Sequence, residues 1–505
     1  MSGLVSGFVQ INELMSGFET VFEPKYLFLT LAGVVIGTLV GVLPGLGPTG
    51  AMSILFGVMF ASGDAIGTMI LFAGIFYGAM YGGSTTTILL NAPGETASAV
   101  TALDGYAMAR RGRAGAALAT AAIGSFVAGL IGTIGLMLVA EPLARTAIKF
   151  GPAEYFALMV MSLAFVGVLG GKPSKSVFAT LFGIAVGTVG IDSGTGHPRL
   201  TAGQVELYDG VDLVIVAMGL FAVSEVFMQI SRVRAEAGEL RVAVVGKLYM
   251  TKDEWRRSIP AWMRGTGIGF SFGALPGLGA AMSAFAAYGI ERGRSKTPEK
   301  FGTGMIEGVA GPEAANNAAA SGALVPLLTL GIPGTAAAAV MLSALQGFGV
   351  RTGPLMLTET PEIVWGLIAS LFIANALLLV VNLPLIGIWV QVLKIPPALL
   401  FPGILVITAL GAYALSFSMF DLYLLVVFGM IGVVFRRADI SLAPVLLGVV
   451  LGPLLEINFR RVLTNSSGDY SAFVDSPLAV GTLILAVIAL AYPMIRGWVR
   501  RRRAA

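Results

Sequence analysis

The residues best suited to chemistry in this chain stand beside long apolar runs. Gly311-Pro-Glu-Ala-Ala-Asn-Asn317 sets a carboxylate, Glu313, one helical turn before two adjacent amides, Asn316 and Asn317, with Ser321 a further turn on and an apolar segment following. An ionised Glu at a bilayer centre costs about 3 kcal/mol even on the gentlest insertion scale, so such a residue points to binding or coupling. The plainer alternative is a surface position, with Glu313 capping a helix near its N-terminus. Tyr81-Gly-Gly-Ser-Thr-Thr-Thr87 supplies hydroxyls at Ser84, Thr85 and Thr86, and Asn91-Ala-Pro-Gly94 with Glu95 follows. Hydroxyls bonded back onto their own helix are the competing account of that run.

Two Pro-Gly motifs recur. Gly41-Val-Leu-Pro-Gly-Leu-Gly47 is matched by Gly273-Ala-Leu-Pro-Gly-Leu-Gly279, and Asn91-Ala-Pro-Gly94 by Gly331-Ile-Pro-Gly334. Each later motif continues alike, into Thr96-Ala-Ser-Ala-Val100 and Thr335-Ala-Ala-Ala-Ala-Val340. Proline removes an amide and glycine admits positive φ, so a helix cannot pass through undisturbed. A kink for tight packing would explain one such motif, whereas duplication argues for breaks that build a site. No Lys or Arg lies between Lys25 and Arg110, between Arg264 and Arg292 or between Lys300 and Arg351. An anion held by these hairpins therefore meets backbone amides and half-helix N-termini, each carrying about +0.5 charge. Four such termini sum to about +2, enough to offset most of a di- or tricarboxylate. The candidate substrate residues are Pro44, Gly45, Gly47, Ser84, Thr85, Thr86, Asn91, Pro93 and Gly94 in the first half, and Pro276, Gly277, Asn316, Asn317, Ser321, Pro333, Gly334 and Thr335 in the second. Glu313, Asn316 and Glu95 are the candidates for coupling a cation.

The elements that must hold these residues are transmembrane helices. Of 505 residues, 56% are hydrophobic and 12% charged, with a mean hydropathy of +0.86. That composition excludes a set of soluble domains and predicts an all-α polytopic membrane protein of roughly 10–14 membrane segments. The 67 Gly and 24 Pro imply broken helices or re-entrant hairpins, tolerated where backbone lines a cavity. One histidine, His197, and no cysteine leave no set of ligands for haem, iron–sulfur or zinc and little catalytic machinery, so the expectation is a non-enzyme without cofactor or bound metal. Gly45-Leu-Gly-Pro-Thr-Gly50 opens no βαβ unit, and the serine-elbow match Gly269-Phe-Ser-Phe-Gly273 has no histidine nearby, so both are discarded. The first basic residue is Lys25, and without a charged leader segment the chain is expected to insert whole.

Basic clusters at Arg110–Arg113, Lys172 and Lys175, Arg232–Arg264, Arg292–Lys300, Arg436-Arg437 and Arg500–Arg503 are orientation signals rather than a nucleic-acid surface, and the positive-inside rule puts them in the cytoplasm together with the C-terminus. Apolar runs near 114–140, 153–170, 176–190 and 211–230 then alternate in direction, as do those near 363–392, 398–416, 421–435, 441–455 and 477–496. Equivalent ends of the two Pro-Gly stretches carry opposite charge bias, the pattern of inverted-topology repeats whose broken helices meet near the midplane. The expected organisation is a first repeat over 1–230 (hairpin part 26–113, four helices 114–230), a cytoplasmic linker 231–264, a second repeat over 265–455 (hairpin part 265–350, helices 361–455), and an extra helix with a basic tail over 456–505.

Tyr81–Thr87, Asn91–Gly94 and Ala102-Leu-Asp-Gly-Tyr106, with Gly311–Asn317 and Leu324-Val-Pro-Leu-Leu-Thr-Leu-Gly-Ile-Pro-Gly334, resemble the large membrane subunit of bacterial tripartite tricarboxylate transporters, the TctA type, over roughly 25–455. The resemblance implies a secondary transporter of the bacterial inner membrane that imports citrate-like carboxylates by alternating access. It also implies a small TctB-type membrane subunit, a TctC-type periplasmic solute-binding protein and a cation gradient, with Na+ or H+ as coupling ion. Its motif positions fall on Pro44, Gly45, Gly47, Ser84, Thr85, Asn91, Pro93, Gly94, Pro276, Gly277, Asn316, Asn317, Pro333 and Gly334. Ala92 departs from the aliphatic residue expected there. A channel or passive pore for small organic anions, which also uses broken helices, is the alternative.

Overall fold

Helices begin and end where the sequence supplies caps and breakers. The computed structural model describes residues 2–43, 47–169, 173–192, 194–235, 245–392 and 397–504, of which Pro44, Gly45 and Lys172 are not part. The first half runs α1 (Ser2–Val21), α2 (Pro24–Val42), α3 (Gly47–Ala61), α4 (Ala65–Leu90), a 3₁₀ turn (Thr96–Thr101) leading directly into α5 (Ala102–Arg110), α6 (Ala114–Ala147), α7 (Pro152–Leu169), α8 (Pro173–Gly187), and α9 (Leu213–Ala217) joined by a π-helical turn (Met218–Val223) to α10 (Ser224–Ala235). The second half has α11 (Lys252–Ala274), α12 (Gly279–Arg294), α13 (Glu307–Leu330), α14 (Ala336–Gly347), α15 (Met356–Glu359), α16 (Pro361–Asn382), α17 (Ile386–Val392), α18 (Pro397–Ser416), α19 (Met419–Arg437), α20 (Ala443–Asn465) and α21 (Pro477–Ala504). The chain is 80% helical, and among the described residues strand is confined to the short antiparallel pair Gly190–Ile191 with Pro198–Arg199.

Among the described residues seven helices are long and apolar enough to cross a membrane, and five shorter apolar ones, α3 and α14 among them, accompany these. The fold is therefore an all-α polytopic membrane protein. Helix α1 was not foreseen from the sequence, and the apolar run near 363–392 is split into α16 and α17 by Leu383-Pro384. The stretch expected as linker is also partly helical: α11 begins at Lys252, because Thr251 and Glu254 form a capping box in which Glu254 N donates to Thr251 Oγ1 and Thr251 N to Glu254 Oε2. Residues 236–244 of that stretch lie outside the described residues.

The duplication is written into interhelical contacts. In the first half α2 packs on α4 through glycines: a Cβ at Gly33, Gly37 or Gly41 would fall 2.5, 2.4 and 2.4 Å from the carbonyl oxygens of Leu71, Ile75 and Ala79. In the second half α11 meets α13 likewise, with Gly265, Gly269 and Gly273 at 2.3, 2.2 and 2.3 Å from those of Gly311, Ala315 and Ala319. Such spacing lets backbones touch, the small-residue packing common between membrane helices. The breaks match too. Leu43 and Leu275 share extended dihedrals (φ −85°, ψ 113° and φ −89°, ψ 113°), and Asn91 and Gly331 both close their helices in the left-handed conformation.

Helices α4 and α13 are buried along nearly their whole length, so they form the centre on which both hairpins pack. At the far end of α20 an ion-pair network fastens the 190–212 loop: Arg199 is bidentate to Glu456 (2.9 and 3.0 Å), and Arg460 is bidentate to Asp192 (2.9 and 2.7 Å). The Arg460 guanidinium and the Gly194 amide hold the Asp192 carboxyl down at about 2.

Candidate functional site

All four sequence breaks meet at one cleft of about 880 Å³. Each break ends a helix and starts another, so four helical N-termini face the cleft: Gly47 and Pro48 of α3, Thr96 of the turn leading into α5, Gly279 and Ala280 of α12, and Ala336 and Ala337 of α14. Thr335 Oγ1 caps α14 by accepting from Ala338 N at 3.1 Å, whereas Glu95, at the equivalent position with similar extended dihedrals, makes no side-chain cap. The backbones nearly touch where the breaks cross. Gly277 N donates to Gly334 O at 3.0 Å, and a Cβ on Gly94 would lie 1.9 Å from Gly41 O. Pro93, Gly94, Glu95, Gly277, Gly334 and Thr335 all line the cleft. Residues of α7, the π-helical turn, α10, α19 and α20 also line it, Arg436 and Asp439 among these neighbours. Arg436 is ion-paired with Glu225 and donates from Nε to Ser224 Oγ at 3.0 Å.

The other predicted residues gather elsewhere, in a polar seam between α4, α6, α13 and α16. Glu313, fully buried, accepts from the Ser84 hydroxyl and from Thr101 Oγ1 at 2.5 Å. Asn317 Nδ2 donates to Ser125 Oγ at 2.6 Å, and the Ser321 and Tyr77 hydroxyls are bonded to each other. The Asn316 amide, wholly buried, has no partner on either atom among the described residues. Thr86 bonds back to Gly83 O at 3.3 Å and underlies Gly94. Pro276 backs Gly334, Pro333 is buried and Asn91 is exposed, and none of the three lines the cleft. Pro44 and Gly45 lie outside the described residues.

Several residues of the site went unforeseen. In the sequence Arg436 shows only as part of an orientation signal. Tyr77, Tyr81, Thr101, Ser125, Asn375 and Asn382 had one available signal, lone polar groups within apolar helices. Asp104 is also fully buried. It accepts from the amides of Gly302 (2.9 Å), Gly304 (2.7 Å) and Met305 (2.7 Å) and from the Tyr288 hydroxyl (2.9 Å), tying α5 to the loop before α13. Among the described residues no cluster of three or more His, Cys, Asp or Glu could hold a metal ion.

Comparison with known proteins assigns this architecture. Residues 27–447 match the model of the tripartite tricarboxylate transporter TctA family. The chain belongs to that family. It is 46% identical over 490 residues, 96% of this chain and 97% of the relative, to an uncharacterized 52.8 kDa protein in the TAR-I ttuC' 3' region of Agrobacterium vitis. An uncharacterized protein in the TAR-II ttuC' 3' region of the same organism is 46% identical over 231 residues, 45% of this chain and 96% of that relative. No solved structure matches. As a TctA-family chain the protein is a membrane transporter subunit of the tripartite kind, and its four converging N-termini are the feature to explain.

Proposed function

We infer that this chain is the translocating subunit that imports di- or tricarboxylates across the bacterial inner membrane by alternating access, driven by a cation gradient. On this reading substrate arrives from a periplasmic solute-binding protein of the TctC type, and a small TctB-type subunit completes the assembly. The observation that carries it is the convergence of four helical N-termini on one cleft. At about +0.5 each they offer roughly two positive charges, preorganised and free of side-chain entropy, to a polyanion that must later leave. Inverted repeats with the breaks at the midplane fit that geometry. On the positive-inside rule the Arg436 end of α19 and the basic C-terminus lie on the cytoplasmic side. Glu313, Asn316 and Glu95 are the groups suited to sensing the coupling cation, Glu313 above all, since a fully buried carboxylate without a basic partner among the described residues needs a counter-charge.

Reconstitution tests the reading. Proteoliposomes carrying this chain with the small subunit and the binding protein should accumulate labelled citrate or a related carboxylate only under an imposed cation gradient. The chain alone should give little uptake at low substrate. Gradient-independent equilibration without the binding protein would instead indicate a pore.

A further inference from the structure

Behind the cleft wall, α4 carries a second surface. Tyr81 and Thr85 are offset from the cleft-lining Met80 by about 100° and 140° around the helix. With Ser84 of α4, Ser125 of α6 and Asn382 of α16 they line a separate pocket of about 10 Å³, room for one water-sized sphere. It shares no lining residue with the cleft.

The pocket has more acceptors than donors. Asn382 Nδ2 is committed to Leu378 O (3.1 Å) and Thr38 Oγ1 (3.4 Å), and Asn317 Nδ2 to Ser125 Oγ and Glu313 O (3.1 Å). Both Oδ1 atoms are left buried and unpartnered. Thr86 and Thr87 bond back to Gly83 O, but the Thr85 hydroxyl has no such bond among the described residues and borders the pocket. Ser84 gives its proton to Glu313, which turns its oxygen lone pairs away from the carboxylate and sets a negative charge one hydroxyl behind the pocket. Hard cations take oxygen ligands of this kind, and a single positive charge here would offset the buried carboxylate.

From this geometry we propose that the small pocket is a sodium site, formed by the Thr85, Ser84 and Ser125 hydroxyl oxygens and the Asn382 carbonyl oxygen that line it, with Glu313 as counter-charge. Its purpose, coupling uptake to the gradient, rests on the transport reading; its occupancy is measured without transport. The full chain in lipid nanodiscs, without substrate or partner, is unfolded thermally while NaCl replaces choline chloride or KCl at constant ionic strength, at pH 6 and pH 8. A ligand of the native state raises the melting temperature, so a saturable rise with Na+ and none with K+ is expected. Thr85→Val and Asn382→Ala should each weaken the apparent affinity at least about tenfold, Thr85→Ser should keep the wild-type response, and Glu313→Gln should lose it. If Asn382→Ala does not fold, Ser125→Ala reads the same loss.

Three results would overturn the proposal: no Na+-specific rise, a rise that the variants leave intact, or a pH-driven shift indifferent to Na+ and lost in Glu313→Gln. The last would make Glu313 a proton carrier and the pocket a water site. Failed uptake in proteoliposomes with the Na+ response preserved would remove the transport reading and leave the site standing.

Discussion

The two hairpin regions share a backbone and differ in what they carry. Gly33, Gly37 and Gly41 approach α4 as Gly265, Gly269 and Gly273 approach α13, carbonyl for carbonyl. Yet α13 bears Glu313, Asn316 and Asn317 where α4, in the same register, bears Ala73, Phe76 and Tyr77. At the helix start after each second break, Thr335 caps and Glu95 does not. Backbone symmetry thus builds the cleft from four similar amide clusters, while side-chain asymmetry gives the polar seam a single carboxylate. A shared anion needs donors from both sides; a coupling charge needs to be counted once.

Breaking the shared backbone has the largest expected effect. Gly37→Val and Gly269→Val each push a side chain into a carbonyl at 2.4 and 2.2 Å, a clash with backbone that no rotamer relieves, so both should leave less than about a tenth of the monodisperse protein in detergent by size-exclusion chromatography. Tolerance at one position only would end the equivalence of the hairpins.

The asymmetric part is tested next. Glu313→Gln should cut gradient-driven uptake about a hundredfold, the scale of losing a charge-assisted interaction of roughly 3 kcal/mol, while carboxylate binding to the purified chain, followed by calorimetry, changes little. An equal loss in both would put Glu313 at the substrate rather than the cation.

The smallest effects fall on the paired helix starts. Thr335→Val removes a cap worth about 1 kcal/mol and loosens α14, so carboxylate affinity should fall about fivefold. Glu95→Thr copies the second repeat into the first and removes a carboxyl from an anion's wall, so affinity should rise, by a few-fold on the scale of a helix-end charge. Opposite signs in one calorimetric series would sharpen the assignment of the two starts, and a common sign would defeat it.

What could be read in advance follows from these contrasts. The duplicated Pro-Gly strings are local, and their breaks obey backbone rules that any sequence displays, so Gly47, Gly94, Gly277 and Gly334 were legible. The division between cleft and seam was not. Met80 and Tyr81 are adjacent in sequence but about 100° apart on a helix, so only the packing of α6 and α16 shows which face each serves. From sequence alone Ser84, Thr85, Asn317 and Ser321 therefore fall among the substrate candidates, whereas none lines the cleft. Asn375 and Asn382 passed unnoticed because a lone amide barely alters an apolar run. Arg436 was absorbed into an orientation count because its reach depends on how α19 folds back against Ser224 and Glu225.

The bonds that cross between halves have a consequence for how the protein is made. Glu313 is 229 residues from Ser84 and 212 from Thr101 in the chain, and Asp104 waits about as long for Gly302. At ribosomal rates of about 5–20 residues per second, the first half resides in the membrane for roughly ten to forty-five seconds before its polar groups meet their partners. During that interval Asp104 and the Ser84 and Thr101 hydroxyls must be sheltered by the insertion machinery or by water drawn into the bilayer, so the nascent first half is the stage at which this transporter is most exposed to quality-control proteolysis.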